Sequence, residues 1–220
     1  MQESLTAVER KLPTARSQFH TSRPARRPLR DIEIRTALRA HLKARHGADP
    51  LCAILDEMEV CHGEARIDLV VANGRLDGFE IKSDCDSLAR LAQQVEIYGR
   101  VFDRMTVVSG PRYLGRVLEA VPTWWGVMAA ANGEEHVRLR QVRRGRANPD
   151  RQADHIASLL DREHALALLA SRGLDKGIRS KSIMLLRDRC ATQVPMRDLR
   201  AAARDAVRAR AAGRLVLSQR

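Results

Sequence analysis

With 44% hydrophobic residues over 220 positions, the chain can bury the core of one domain of about 150 residues plus an appendage, which excludes a disordered polyelectrolyte. No apolar run approaches the roughly 18 residues of a membrane span and no apolar signal segment follows Met1, so the expectation is a cytoplasmic protein without a membrane partner. The net charge of +12 is uneven: residues 1–30 hold 7 basic and 2 acidic side chains, residues 31–135 hold 12 and 17, and residues 136–220 hold 20 and 8.

An acidic centre between basic flanks suits a metal-dependent enzyme acting on a polyanion, although solvated, Arg-rich helix faces would give the same balance. Cys52, Cys61, Cys85 and Cys190 form no CxxC pair and read as free thiols. Residues 1–27, with Pro13, Pro24, Arg23, Arg26 and Arg27, show no sustained period and are expected to be a mobile basic arm. Pro28 and Asp31 open a helix to His46, stopped by Gly47, with Ile34, Leu38 and Leu42 as its buried stripe. Glu33 borders that stripe, where it either looks into a site or serves the helix dipole as an acidic first-turn residue. Leu51–Val60 is a predicted strand, with Glu57 and Glu59 on one face.

The stretch Glu64–Ser83 reads as a β-hairpin around Asn73-Gly74. A two-residue loop would set Asp68 opposite Phe79 and put Glu80 on the other face. A three-residue loop, Ala72-Asn73-Gly74, pairs Asp68 with Gly78. Asp68, Glu80 and Lys82 then share one face, while Ile67, Leu69, Val71, Phe79 and Ile81 share the other. Two carboxylates and an ammonium on one face can hold a hard divalent cation and activate a water, although any amphipathic hairpin has a charged side.

After the capping cluster SDCDS, a helix is predicted over Leu88–Phe102. Gln94 and Tyr98 stack on one of its faces, which Ser87 and Arg90 extend toward the end of the strand that bears Glu80 and Lys82. A strand at Met105–Ser109, a helix at Tyr113–Ala120 and strands at Trp124–Ala130 and His136–Val142 complete a mixed α/β sheet domain over residues 28–147. Residues 148–220 are expected to be a basic helical extension, with helices over Arg151–Leu169, Ser182–Cys190 and Met196–Ala212. It would clamp DNA, pack on the sheet, or join a second copy or another protein.

The order Glu33, Asp68, Glu80-x-Lys82, Gln94-x-x-x-Tyr98 resembles the PD-(D/E)xK nuclease superfamily, in particular its RecB-like branch with the QxxxY helix. Leu29–Ala130 is similar throughout to a small bacterial family assigned to that superfamily, with GFEIKSDCDSLARLAQQVEIY and VFDRMTVVSG carrying most of the likeness. Ile67 stands where the superfamily often has proline. The resemblance implies a restriction-endonuclease-like fold and a Mg²⁺- or Mn²⁺-dependent phosphodiesterase cutting DNA rather than RNA. It implies that Asp68 and Glu80, with the Ile81 carbonyl, hold the metal, that Lys82 stabilises the transition state, and that Glu33 and Gln94 assist. Arg66, Arg90 and Tyr98 are assigned to the substrate. The cysteines of the iron–sulfur members are missing, so no cluster is expected. The alternative is a non-catalytic nucleic-acid-binding or regulatory protein that keeps the nuclease fold.

Overall fold

A six-stranded mixed sheet forms the middle of the molecule in a computed structural model that describes residues 27–218. The strands are β1 (Ala53–Val60), β2 (Ala65–Ala72), β3 (Leu76–Lys82), β4 (Arg104–Ser109), β5 (Gly126–Asn132) and β6 (Val137–Arg143). They lie in chain order; β3–β4 and β4–β5 are parallel and the other pairs antiparallel. The parallel pairs need crossovers, and the helices α2 (Leu91–Val101) and α3 (Leu114–Ala120) supply them. The mixed α/β class expected from the sequence is the class observed. The basic arm expected over residues 1–27 lies, apart from Arg27, outside the described residues.

One face of the sheet carries α1 (Asp31–His46). Its stripe Ile34, Leu38 and Leu42 packs on Leu69, Val71, Ile81, Val108 and Met128, each such side chain contributing about 1.5–3 kcal/mol when fully buried. The other face carries α2 and the C-terminal helices α4 (Ala153–Ala157), α5 (Arg162–Ala170), α6 (Ile183–Gln193) and α7 (Met196–Ser218). Its apolar cluster runs without a break from Val70, Val107 and Trp125 in the sheet region to Leu169, Leu186, Leu199 and Val207 in the helices. No helix among the described residues is long and apolar enough to cross a membrane.

Several expectations need correction. The predicted helix over Arg151–Leu169 is two helices, broken at Ser158–Asp161, because Asp161 caps α5 by accepting the His164 N–H at 2.9 Å. Helix α2 starts at Leu91, three residues later than predicted, because Leu88–Arg90 form a turn. The hairpin loop is three residues long but comprises Asn73, Gly74 and Arg75, with Ala72 opposite Leu76. Face parity is therefore kept, while the register slides two residues from the predicted pairing. Ile67 also leaves its predicted face, joining Met58 in the cluster under α2 while Leu69 stays in the cluster under α1. The switch occurs beside Glu57, whose φ of 51° turns the partner strand β1 over, so that Leu55 and Met58 both face the α2 side.

Candidate functional site

The corrected register brings the acidic side chains together. Leu69 pairs with Phe79, so the next step of the ladder would set Asp68 opposite Glu80, but backbone pairing stops at Leu69. The strands part there, and Asp68 Oδ2 accepts the Ile81 N–H at 2.7 Å in place of a backbone carbonyl. Glu80 and Lys82, alternate residues at the end of β3, both point toward α2 and are only 3% and 4% exposed.

From α2, Gln94 closes the group. Its amide Nε2 donates to Glu80 Oε1 at 2.6 Å, and its Oε1 accepts from Lys82 Nζ at 2.8 Å. Lys82 Nζ also donates to Glu80 Oε1 at 2.7 Å. Among the described residues no group donates to Glu80 Oε2, which is buried, a costly condition for a charged oxygen. Burial, then the neighbouring Asp68 charge, push the Glu80 carboxyl up to about 7 against the pull of Lys82. Two adjoining clefts, of about 220 and 150 Å³, share Asp68, Glu80 and Arg90 in their walls.

The sequence reading missed Arg35. Its Nη2 donates to Asp68 Oδ1 at 2.7 Å and its Nη1 to the Asp68 carbonyl at 3.1 Å. The same guanidinium pairs with Asp31 at 3.0 Å and with Glu57 at 3.0 Å. Burial works against the charged guanidinium, but hydrogen bonds to Asp31 and Asp68 outweigh it and hold its pKa above the ordinary value. Burial also pushes the Asp68 carboxyl up, while the Ile81 N–H and Arg35 pull it down. The i,i+4 spacing of Asp31 and Arg35 was visible in the sequence as a helix pair, but nothing there aims the guanidinium at Asp68.

The other predicted site residues divide. Arg66 and Arg90 are exposed at the mouth of the larger cleft, and Arg66 pairs with Glu57 at 2.6 Å. Tyr98 cannot touch a substrate. It is fully buried, stacked on Trp125 with centroids 6.5 Å apart, and its hydroxyl donates to the Arg66 carbonyl at 2.9 Å. Glu33 stands apart from the acidic group. Its Oε2 accepts the Arg30 N–H at 2.9 Å, it pairs with Arg27, and it lines a separate apolar groove with Ile32 and Val137. Of its two readings, the service to the helix start is the one observed. Asp84 is a further residue whose role the sequence did not reveal. Its carboxylate accepts the Leu29 N–H at 2.9 Å and the Arg112 N–H at 3.0 Å, tying the approach to α1 to the loop after β4.

As arranged, the donor set does not suit a hard cation. Mg²⁺ asks for near-octahedral oxygen ligands, yet each Asp68 oxygen already accepts a hydrogen bond and the Arg35 guanidinium sets a charge like the cation's 2.7 Å from Oδ1. Among the described residues no three His, Cys, Asp or Glu side chains group so as to hold a metal ion.

The family described as bacteriophage P4 protein cII matches residues 25–216, nearly all of the chain. The chain belongs to that family. Protein cII of Enterobacteria phage P4 is 36% identical over 118 residues, which cover 54% of this chain and 44% of that relative. The chain thus spans less than half the length of this cII relative. No solved structure matches.

Proposed function

We propose that this chain is a nucleic-acid-binding protein of PD-(D/E)xK-like architecture whose former catalytic centre is closed by Arg35 and does not cleave. The observation that carries the reading is the Arg35–Asp68 pair at 2.7 Å, which sets a guanidinium against the carboxylate that a metal would need. Membership of the cII family, whose model matches residues 25–216, sides with the non-catalytic reading. Exposed Arg66 and Arg90 at the cleft mouth, and the net charge of +12, supply the attraction for phosphates.

A second reading, a metal-dependent phosphodiesterase, has one specific observation in its favour. Lys82, Glu80 and Gln94 form a buried polar group with Glu80 Oε2 unpartnered, and a merely structural ion pair gains nothing from that. On this reading Arg35 leaves Asp68 before any cation enters. One experiment separates the two. Purified protein is incubated with single- and double-stranded DNA and RNA, in Mg²⁺, Mn²⁺ or EDTA, with binding followed by fluorescence anisotropy. The binder predicts salt-sensitive binding and intact polymer. Metal-dependent cleavage that disappears in Glu80→Gln would sink it and establish the phosphodiesterase.

A further inference from the structure

At the other end of β3, and on the opposite face of the sheet, four arginines from four parts of the chain surround one cleft of about 230 Å³. Arg45 comes from the last turn of α1, Arg75 from the hairpin loop, Arg104 from the start of β4 and Arg144 from just beyond β6. Phe79 and Met128 form part of its floor. Among the described residues Asp77 is the only carboxylate in the wall, and Arg75 Nε already engages it at 2.8 and 2.9 Å. Among the described residues, Arg45, Arg104 and Arg144 pair with no carboxylate, unlike Arg35, Arg39, Arg66 and Arg100 of the same half of the molecule.

Three unpaired guanidiniums converging on one hollow repel one another, and the arrangement becomes favourable when an anion sits between them. The C-terminus of α1 works against an anion by about half a charge, which the surplus of three guanidiniums exceeds. His46 does not add a cation: burial, then Arg45, lower its pKa, and its Nδ1 lies 2.9 Å from Asn73 Nδ2.

We propose that this cleft is a phosphate-binding site, separate from the Asp68–Glu80 centre. Planar guanidiniums match phosphate oxygens two at a time, and the Phe79 floor gives an attached sugar or base an apolar surface. The phosphate belongs either to a nucleic-acid backbone that wraps to this side of the sheet or to a small free polyphosphate. The first source rests on the nucleic-acid reading above; the site itself does not.

The test compares the full chain with Arg104→Ala/Arg144→Ala and with a control, Arg138→Ala/Arg140→Ala, which removes the same charge from exposed positions of β6. Folding is checked by circular dichroism. Binding of a labelled DNA duplex is measured by anisotropy over a salt series, and binding of inorganic pyrophosphate by isothermal titration. If the cleft holds two backbone phosphates, the log–log salt slope falls by about 1.8 in the cleft variant, affinity drops about tenfold, and the control changes far less. Pyrophosphate binding lost in the cleft variant, with DNA affinity equal to wild type, supports the site and assigns it to small polyphosphates. Wild-type protein that binds pyrophosphate there but no nucleic acid removes the reading above and keeps this one. Equal losses in the two variants, or no loss in either, overturn the proposal.

Discussion

Arg35 decides how the acidic centre behaves, because it neutralises Asp68 and holds Asp31 and Glu57 around the same guanidinium. Removing it leaves a mostly buried carboxylate unpaired, so Arg35→Ala should lose about 2 kcal/mol in urea unfolding, less than a fully buried pair because both partners keep some exposure. The same change opens both Asp68 and Glu80 to a cation, so Mn²⁺ should bind the variant at least about tenfold tighter than wild type, a gain of about 1.4 kcal/mol. Equal Mn²⁺ affinity in isothermal titration would show that Arg35 does not close the site. Glu80 gives a pH signature. Its carboxyl is pushed from 4.5 up to about 7 in the folded chain, so between those values the folded state holds the proton more firmly than the unfolded state. Stability is therefore lost as pH rises through that window, by about 3 kcal/mol at most. Glu80→Gln should remove that slope, so its stability relative to wild type is greater at pH 8 than at pH 5. Parallel urea curves for the two proteins at both pH values would mean that Glu80 ionises as an ordinary carboxylate.

Among the elements, the Asp84 side chain ties the loop after β3 to two distant segments. Asp84→Ala strips the buried N–H of Leu29 and the part-buried N–H of Arg112 of their acceptor and should cost about 1–3 kcal/mol by denaturant titration. A loss below 0.5 kcal/mol, the scale of a surface change, would mean that water replaces the carboxylate. In the sequence Asp84 looked like one capping residue among several in SDCDS, since its partners lie 55 and 28 positions away. Periodicity sees neighbours along an element, which is why the α1 stripe, the strands and the Gln94–Lys82 face were legible. It does not see where a long guanidinium reaches, so Arg35 was missed. Tyr98 and Glu33 were assigned to the site from a motif order, and their side chains were claimed by Trp125 packing and by the start of α1. The hairpin slid by two residues because a shift of two preserves the faces, leaving the hydrophobic pattern unable to choose between registers.

For the whole molecule, the sheet and the C-terminal helices share one core. Leu199, Ala203, Ala206 and Val207 of α7 are fully buried in the cluster that contains Val107 and Trp125. Ending the chain at Pro195 should therefore abolish the cooperative thermal transition rather than merely reduce net charge, and retained melting with native circular dichroism would show that α7 is dispensable. The same sharing sets a schedule for biosynthesis. The strands lie side by side in the order in which they leave the ribosome, so hairpins and crossovers can close early over short loops. The surface under α7 stays bare until residue 207 has emerged. During that interval, which lasts about ten seconds at 5–20 residues per second for the last 100 residues or so, an apolar surface waits for its cover. A nascent chain stalled just short of α7 would expose that surface to chaperones and proteases, and the docking of α7 would take it out of their reach.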